Sequence, residues 1–203
     1  MMRFLLIFIF LLPFQFLPSN EGNTASHPWT LSKNQDGIRI YTRTVAGSDL
    51  LEFKGITVVN ATLKNLILKI QRVDNYSKWM QNIEESRLLK KVDKTHFYYY
   101  TEEDVPWPFS NRDIVLLNSV AANDSIVVIS LESKPDYIPE KNGIVRIKIG
   151  KGYWKFVKIS KKKSRVEYCF YSDPEGSFPD WIVNKFIVDV PFSTLKNLKE
   201  MYQ

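Results

Sequence analysis

The sequence predicts an α+β protein in which an antiparallel sheet is closed by a long C-terminal helix. Apolar and β-branched runs recur between residues 38 and 172, and short polar turns separate most of them. Turns of that length leave no room for crossover helices, so neighbouring strands should pair antiparallel. Residues 179–203 have helical periodicity instead. Pro179 suits the first turn of a helix, and Asp180 favours a helix N-terminus.

The first half of the chain predicts helices on both sides of two strands. Residues 27–33 predict a short helix that ends at Asn34-Gln35-Asp36-Gly37, and residues 38–43 and 51–59 predict strands. Next comes one apolar helical face with Thr62 as its N-cap, formed by Leu63, Leu66, Ile67 and Ile70. A second short helix is expected to contain Tyr76, Trp79 and Met80.

The second half of the chain predicts further strands joined by polar turns, at residues 86–92, 95–101, 114–121, 125–133, 144–149 and 166–172. Asp93-Lys94 and Asn123-Asp124 have the composition of hairpin connections. Gly150 and Gly152 shift the phase of the pattern, as a bulge or bend would. The first half of the closing helix is apolar nearly all round and should be covered on most sides, and Pro191 should kink it.

Composition indicates one domain and excludes several kinds of site. The chain has 203 residues, of which 14% are aromatic, so it needs a large apolar interior or an apolar cavity. A net charge of +6 is compatible with an anionic membrane surface, and we expect no nucleic-acid partner. Cys169 is the single cysteine, so an intrachain disulfide is impossible. The sequence contains no metal-ligand spacing, phosphate-binding glycine loop or nucleophile elbow, and we expect neither a metal nor a cofactor.

The N-terminus has the composition of a secretory signal peptide. Arg3 precedes a short apolar run, and a polar stretch follows it. We expect residues 1–26 to be a signal peptide with a short linker, and residues 27–203 to be one domain. The protein would then be exported to the periplasm or the extracellular space. The alternative is that the N-terminus is retained as a membrane anchor.

Residues 105–113 predict a rigid bend between two strands. Pro106 and Pro108 fix the backbone and remove two donors, so this stretch cannot lie in the middle of a sheet. Trp107 and Phe109 are large apolar groups on a connection, where polar residues are usual. They indicate a loop that is either pinned against its own sheet or covers a cavity.

This bend, Val105-Pro106-Trp107-Pro108-Phe109-Ser110-Asn111-Arg112-Asp113, resembles the signature of the START family of StAR-related lipid-transfer domains. Four further matches lie in the same order along the chain. They are Trp29 with Gly37-Ile38-Arg39-Ile40-Tyr41, then Tyr76-Ser77-Lys78-Trp79, then Gly143-Ile144-Val145-Arg146, and finally Asp173-Pro174-Glu175-Gly176-Ser177-Phe178-Pro179-Asp180-Trp181-Ile182-Val183-Asn184. Together they cover the chain from Trp29 to its end.

The resemblance implies a helix-grip fold of the Bet v 1-like superfamily, in which a curved antiparallel sheet wraps around the C-terminal helix and encloses a tunnel. It implies non-catalytic binding of a lipid or similar apolar ligand, and transfer of that ligand as a further step. The expected cavity lining is Tyr98, Tyr100, Ile114, Leu116, Asn118, Ile147, Phe170, Phe186 and Val190. The expected gate is Trp107, Phe109 and Trp181. We expect a monomer that touches a membrane surface only transiently.

Polar residues near the bend are candidates for contacts with a ligand head group. Arg112 and Asp113 are neighbours on a strand and point to opposite faces, so one should tie the bend and the other should face solvent. Arg146 is either a surface charge of the sheet or a head-group ligand. Asn118 is a polar group among apolar neighbours and needs a partner. Sterol-carrying members of the family have an arginine at the position that matches Asn118, and this difference argues against a sterol.

Two other functions remain open from the sequence. The first is an enzyme on the same scaffold, with its acid or base drawn from Asp113, Glu103, Tyr98 and Tyr100. A strongly shifted carboxylate inside the cavity would favour it. The second is a structural or interaction module with a filled core, which would be favoured by an interior without a cavity larger than a few water molecules.

Overall fold

The computed structural model describes residues 27–46 and 50–203, and the predicted signal peptide lies outside these residues. Within them the chain forms a ten-stranded sheet in the order β1-β2-β3-β10-β9-β7-β6-β5-β4, with β8 paired to β6 beside this path. The strands are β1 (Thr30–Gln35), β2 (Ile38–Thr44), β3 (Leu51–Val59), β4 (Ile83–Lys91), β5 (His96–Glu103), β6 (Arg112–Ala122), β7 (Ile126–Ser133), β8 (Val145–Arg146), β9 (Gly150–Ser160) and β10 (Lys163–Ser172). All pairs are antiparallel except β6 with β8.

The helices are α1 (Leu63–Gln71), a 3-10 helix (Val73–Lys78), a short 3-10 turn (Pro135–Tyr137), α2 (Asp180–Asn184), a π-helical segment (Lys185–Asp189) and α3 (Val190–Glu200). The last three are continuous, and we call them together the closing helix. The predicted α+β class with an antiparallel sheet and a C-terminal helix is therefore confirmed. No helix in the described ranges is long and apolar enough to cross a bilayer.

The helix predicted at residues 27–33 is wrong, because these residues lead into an edge strand. Strand β1 pairs with β2 through a turn at Asp36-Gly37, where both residues have positive φ, 54° and 71°. Asp-Gly is a preferred pair for a two-residue hairpin turn of this kind. Most of β1 is exposed, so it lacks the alternating apolar pattern that marks a half-buried strand.

Helix α1 forms as its sequence predicts. Thr62 is the N-cap, and its hydroxyl accepts a hydrogen bond from the Asn65 backbone N–H at 3.2 Å. Leu66 and Ile70 are buried against the sheet. The second predicted helix is a 3-10 helix, and it ends before Trp79. Its buried residues, Val73 and Tyr76, are three apart, which matches the three residues per turn of this helix.

Strand β9 has no counterpart among the predicted strands, and the strand predicted at 144–149 is reduced to β8. Gly150 and Gly152 in β9 suggested a bend, but their lack of a side chain instead lets residues of the neighbouring strands approach the β9 backbone closely. A Cβ at Gly152 would lie 2.2 Å from the Cys169 carbonyl oxygen and 2.6 Å from the Phe170 ring. From Gly150 onward the strand pairs with β7 and β10 at the centre of the sheet.

The sheet must be strongly curved. Strands β3 and β5 are five positions apart in the strand order, which would separate them by about 24 Å in a flat sheet. Residues of both strands nevertheless line one small cavity. The closing helix lies across the concave face, where α3 contacts β2 and β3. The sheet therefore wraps around the closing helix, as the resemblance implied.

An aromatic cluster fills the part of the interior next to α1. Trp154 stacks on Tyr168 at 3.9 Å between ring centroids, and Trp79 lies 6.1 Å from Trp154. Tyr76 meets Trp79 and Tyr99 edge-on, at 5.8 Å and 5.6 Å. Part of the high aromatic content of the sequence is thus used in packing.

Removal of the Leu195 side chain should destabilise the fold strongly. Leu195 is 0% exposed, and a Cβ at Gly55 would lie 2.5 Å from its Cδ1 atom, so the helix and the sheet are in direct contact there. We expect Leu195→Ala to lower the free energy of unfolding by about 2–5 kcal/mol in urea titrations. Leu68→Ala, on a leucine that is 42% exposed, is the control and should cost under about 1 kcal/mol. Equal losses in the two variants would contradict this packing.

Candidate functional site

A cavity of about 240 Å³ lies between the closing helix and the concave face of the sheet. Its roof is formed by Ile182, Val183, Phe186, Ile187, Val190 and Pro191, and its floor includes Phe53, Ile147, Tyr168 and Phe170. The walls are therefore mainly aliphatic and aromatic. Its volume equals that of roughly eight water molecules at about 30 Å³ each. The interior is thus not completely filled, although most ligand pockets are larger, about 300–1,000 Å³.

Eight of the nine predicted cavity residues fall into three groups, and the ninth, Asn118, is described below. Ile147, Phe170, Phe186 and Val190 line the cavity. Ile114 and Leu116 are buried in the aromatic and aliphatic core on the same sheet face, outside the cavity wall. Tyr98 and Tyr100 lie on the convex face instead.

The placement of Tyr98 and Tyr100 corrects the expectation that they face the interior. Tyr98 stacks on Tyr137 at 4.0 Å between ring centroids, and the Tyr100 hydroxyl donates to the Glu102 carboxylate at 3.0 Å. Tyr99 is the inward residue of this triplet, because neighbours in a strand alternate between faces. The sequence could not decide which face points inward, since all three positions carry the same residue.

Asp113 and Arg146 form a buried ion pair on the convex face, away from the cavity. Two bonds join them, from Nε to Oδ1 at 2.6 Å and from Nη2 to Oδ2 at 3.0 Å, and each side chain is 1% exposed. Arg146 also donates to the carbonyl oxygens of Pro135, Ile138 and Pro139. The hydrogen bonds to Asp113 raise the pKa of Arg146. Asp113 therefore neither faces solvent nor serves as a cavity acid, and Arg146 does not line the cavity.

Arg112 lies in the cavity wall and ties the bend, as one of the two charged neighbours was expected to do. Its guanidinium donates to the Ser110 carbonyl at 2.5 Å and to the carbonyls of Pro174 and Glu175 at 3.2 Å each. It also lies over the Phe178 ring at 4.3 Å. Arg112 thus joins the bend at 105–111 to the segment that leads into the closing helix.

Glu103 is the carboxylate that faces the cavity. It is paired with Arg112 in the register of β5 and β6, and both residues line the cavity. Within the described ranges, no hydrogen bond or ion pair to its carboxylate is formed, because Arg112 is turned toward backbone carbonyls. Burial raises the pKa of Glu103 to about 7.

Asn118 is fully buried but lies outside the cavity wall. Its Oδ1 and Nδ2 atoms have no hydrogen-bond partner among the described residues, and the same holds for Trp79 Nε1. A buried amide without partners costs about 1–3 kcal/mol for each lost hydrogen bond. Asn118 is thus a polar group in an apolar region, as expected. It does not line the apolar cavity, where a ligand head group could contact it.

None of the three predicted gate residues lines the cavity, but each is within three residues of one that does, and we call these three residues the cavity rim. Trp107 is 90% exposed at the tip of the bend, and Trp181 is 55% exposed at the start of the closing helix. Phe109 contacts Phe178 at 5.1 Å between ring centroids, and Phe178 lines the cavity. Among residues 27–46 and 50–203, no group of His, Cys, Asp and Glu side chains is arranged to hold a metal ion.

A sheet wrapped around a C-terminal helix, with an apolar cavity between them, defines the helix-grip class. The sequence matches the START domain over residues 20–203. The chain belongs to the START family of StAR-related lipid-transfer domains.

Individual relatives agree with this assignment. A crystal structure of a STAR-related lipid transfer protein fragment from Xanthomonas axonopodis has a TM-score of 0.78 and 35% identity, and the match covers 86% of this chain and 98% of that one. An uncharacterized protein of Pseudomonas aeruginosa is 32% identical over 179 residues, which is 88% of each chain. The phosphatidylcholine transfer protein of Rattus norvegicus is 29% identical over 162 residues, 77% of this chain and 75% of that protein.

Glu103 should make the stability of the ligand-free protein depend on pH. Its pKa is about 7 in the folded state against 4.5 for a free side chain, so the unfolded chain loses its proton first as pH rises. The free energy of unfolding should therefore fall between about pH 4.5 and pH 7, by roughly 1–3 kcal/mol. Glu103→Gln should remove this fall and be the more stable protein at pH 8.

In urea titrations across this range, Glu200→Gln, at an exposed site, is the control that should behave as wild type. An unchanged pH dependence in Glu103→Gln would contradict the assignment.

Proposed function

We propose that the protein binds a lipid or other apolar molecule in the cavity under the closing helix, without reacting with it, and exchanges it with a membrane surface. The observation that carries this proposal is an apolar cavity roofed by a helix whose two halves are held very differently. Burial of apolar ligand surface there would contribute about 25 cal/mol per Å². The rat relative's name, phosphatidylcholine transfer protein, supports a phospholipid as the class of ligand.

The C-terminal half of the closing helix is firmly anchored. Leu195 and Leu198 are 0% exposed. Thr194 Oγ1 accepts a hydrogen bond from the Gln81 backbone N–H at 3.1 Å, and Asn197 Nδ2 donates to the Trp79 carbonyl at 2.9 Å. This half fixes the helix on the sheet.

The N-terminal half lies over the cavity and is held more loosely. Most residues of the π-helical segment are half-buried, and its ion pair to the sheet, Lys33 to Asp189 at 2.8 Å, is exposed. The wide turn is explained by Pro191, which has no N–H to donate to the Ile187 carbonyl and crowds it, while the Val190 N–H bonds to Lys185 instead. A regular helix is already interrupted there, so this segment is the natural hinge for a lid made of α2.

The size of the cavity requires such a movement for a large ligand. A two-chain phospholipid is much larger than 240 Å³, so it enters only if α2 lifts and the interior opens. A small apolar molecule or a single acyl chain needs less rearrangement. Trp107 and Trp181 carry exposed rings close in sequence to the cavity residues Val105 and Ile182, and tryptophan is favoured at membrane interfaces. We propose that this rim is the surface that meets the membrane, outside the cytoplasm.

A second candidate function, acid–base catalysis on the bound ligand, rests on Glu103. A cavity carboxyl with a pKa near 7 is suited to accept and return a proton at neutral pH. The two functions differ in the ligand recovered from the protein. If wild type and Glu103→Gln carry chemically different molecules, Glu103 acts on the ligand; if they carry the same molecule, the protein is a carrier.

A charge placed in the roof of the cavity should abolish ligand binding. Phe186 lines the cavity from the closing helix, and in Phe186→Arg a guanidinium would have to enter an apolar space or hold the lid open. We expect at least a roughly tenfold loss of affinity for a fluorescent acyl-chain probe, with an unchanged circular dichroism spectrum. Asn184→Arg, on an exposed site of the same helix, is the matched control and should bind like wild type. Unchanged binding by a folded Phe186→Arg protein would show that the ligand does not use this cavity.

Removal of the two exposed tryptophans should weaken contact with membranes. We expect the double variant Trp107→Ala with Trp181→Ala to reduce co-sedimentation with phospholipid vesicles several-fold, because it removes two aromatic rings that would contact the membrane interface. The control is Ile159→Ala, on a side chain that is 54% exposed at the end of β9 away from the cavity. If that control lost as much vesicle binding, the rim would not be the docking surface.

A further inference from the structure

A second pocket lies at the end of the molecule opposite the cavity rim. We call it the basic pocket; it has a volume of about 420 Å³ and shares no lining residue with the apolar cavity. The residues that concern its chemistry are Asn65, Lys69, Arg72, Asn75, Lys78 and Tyr202. Within the described part of the chain, no acidic side chain lines it. Three cations, two amides and a phenol therefore surround one concave surface.

The sequence places these cations together through a spacing of three. Lys69 lies in the last turn of α1, and its ammonium group stands over the Trp79 ring at 5.0 Å from the centroid. Arg72, Asn75 and Lys78 then follow at intervals of three, and residues at this spacing share one face of a 3-10 helix. The opposite face carries Val73 and Tyr76, which are buried in the core. Burial of that face forces the polar ridge outward, toward Lys69.

The positive charges of the basic pocket are not neutralised by the protein. In the described ranges, none of Lys69, Arg72 and Lys78 forms an ion pair with a carboxylate. The nearest candidate in sequence, Asp74, is used elsewhere: its Oδ1 accepts the Leu88 backbone N–H at 2.9 Å. Burial, Arg72 and Lys78 together lower the pKa of Lys69. Mutual repulsion of this kind costs free energy until an anion is present.

Stabilisation of the C-terminus of α1 by nearby cations does not explain why all the residues of the basic pocket lie together. Lys69 and Arg72 lie at the C-terminal end of α1, where cations also complement the helix dipole. Lys78, however, is at the far end of the 3-10 helix, and Tyr202 comes from the end of the chain after α3. The Tyr202 hydroxyl is held nearby by the Asn65 carbonyl at 3.4 Å. Groups from three separate segments therefore converge on one point.

The surrounding surface would also attract anions. Lys161 and Lys162 form the turn between β9 and β10, and Lys163 begins β10. The next residue, Ser164, donates its hydroxyl to the Ala61 carbonyl at 2.8 Å, just before α1. This turn lies at the end of the sheet away from the cavity rim. A positive field of this kind raises the local concentration of anions at low ionic strength.

We propose that the basic pocket binds a phosphoryl group, carried either by a soluble phosphate compound or by an anionic lipid head group. Arg72 presents a planar fork that suits two phosphoryl oxygens, and Lys69 and Lys78 supply point charges. The amides of Asn65 and Asn75 add donors, and Tyr202, whose hydroxyl proton is directed to the Asn65 carbonyl, completes the wall of the pocket. This site is independent of the apolar cavity and goes beyond the proposed carrier function.

Titration with inorganic phosphate, and flotation with vesicles that contain phosphatidic acid, distinguish the two sources. The test variant is Arg72→Gln with Lys78→Gln, two exposed changes that leave the buried face intact. The control is Lys64→Gln with Lys94→Gln, which removes the same charge from exposed sites outside the pocket. Binding of the acyl-chain probe is measured in parallel and should be equal in all three proteins, because the cavity is separate.

Phosphate binding that falls about tenfold in the test variant and not in the control supports a soluble phosphate as the ligand. Vesicle retention that is lost only in the test variant, without binding of free phosphate, supports a lipid head group. Absence of both kinds of binding in wild type overturns the proposal. Equal losses in test and control variants also overturn it, because they would reflect net charge and not the pocket.

Discussion

The seating of the closing helix on the sheet is the constraint on which the rest of the structure depends. Leu195 is fully buried against Gly55, where any larger residue would collide with it. This contact fixes α3 and thereby determines where α2 and the π-helical segment cross the concave face. The cavity lies mainly under α2 and the π-helical segment, and the start of α3 closes it at Val190, Pro191 and Thr194. The same contact therefore provides stability at one end and space at the other.

Two arginines hold the segments around the cavity in place, one on each face of the sheet. Arg112 uses backbone carbonyls to bind the bend to the segment before α2, while Arg146 pairs with Asp113 on the convex face. Glu103 is left without a partner among the described residues, in the cavity wall, with its pKa raised by burial. The cavity thus combines apolar walls with one group that changes charge near neutral pH. A carrier and an acid–base catalyst share this feature, and they differ in what happens to the ligand.

Much of the fold follows from the sequence because local chemistry determines it. The N-cap at Thr62, the Asn123-Asp124 turn and the C-terminal helix all have strong local signals, and the structure confirms them. The cover expected on most sides of the first half of that helix is wrong, because Trp181 is 55% exposed and no residue of the π-helical segment is fully buried. Strand β1 was missed because an exposed edge strand needs no apolar pattern. Strand β9 was missed because its glycines, which suggest a bend, serve a close approach to the Phe170 ring that depends on a distant strand. The faces of Tyr98, Tyr99 and Tyr100 could not be assigned, since three identical neighbours show no alternation of polar and apolar residues.

The basic pocket was not expected, although the spacing of Arg72, Asn75 and Lys78 could have indicated it.

Native mass spectrometry of the purified chain, followed by organic extraction of what it carries, tests the central claim most directly. A carrier with an apolar cavity should retain one apolar molecule per chain, and that molecule should be lost in Phe186→Arg, which places a charge in the roof of the cavity. A wild-type protein that carries no such molecule, and that also takes up none from a panel of phospholipids, fatty acids and sterols, would contradict the claim. The cavity would then be a packing feature and not a binding site.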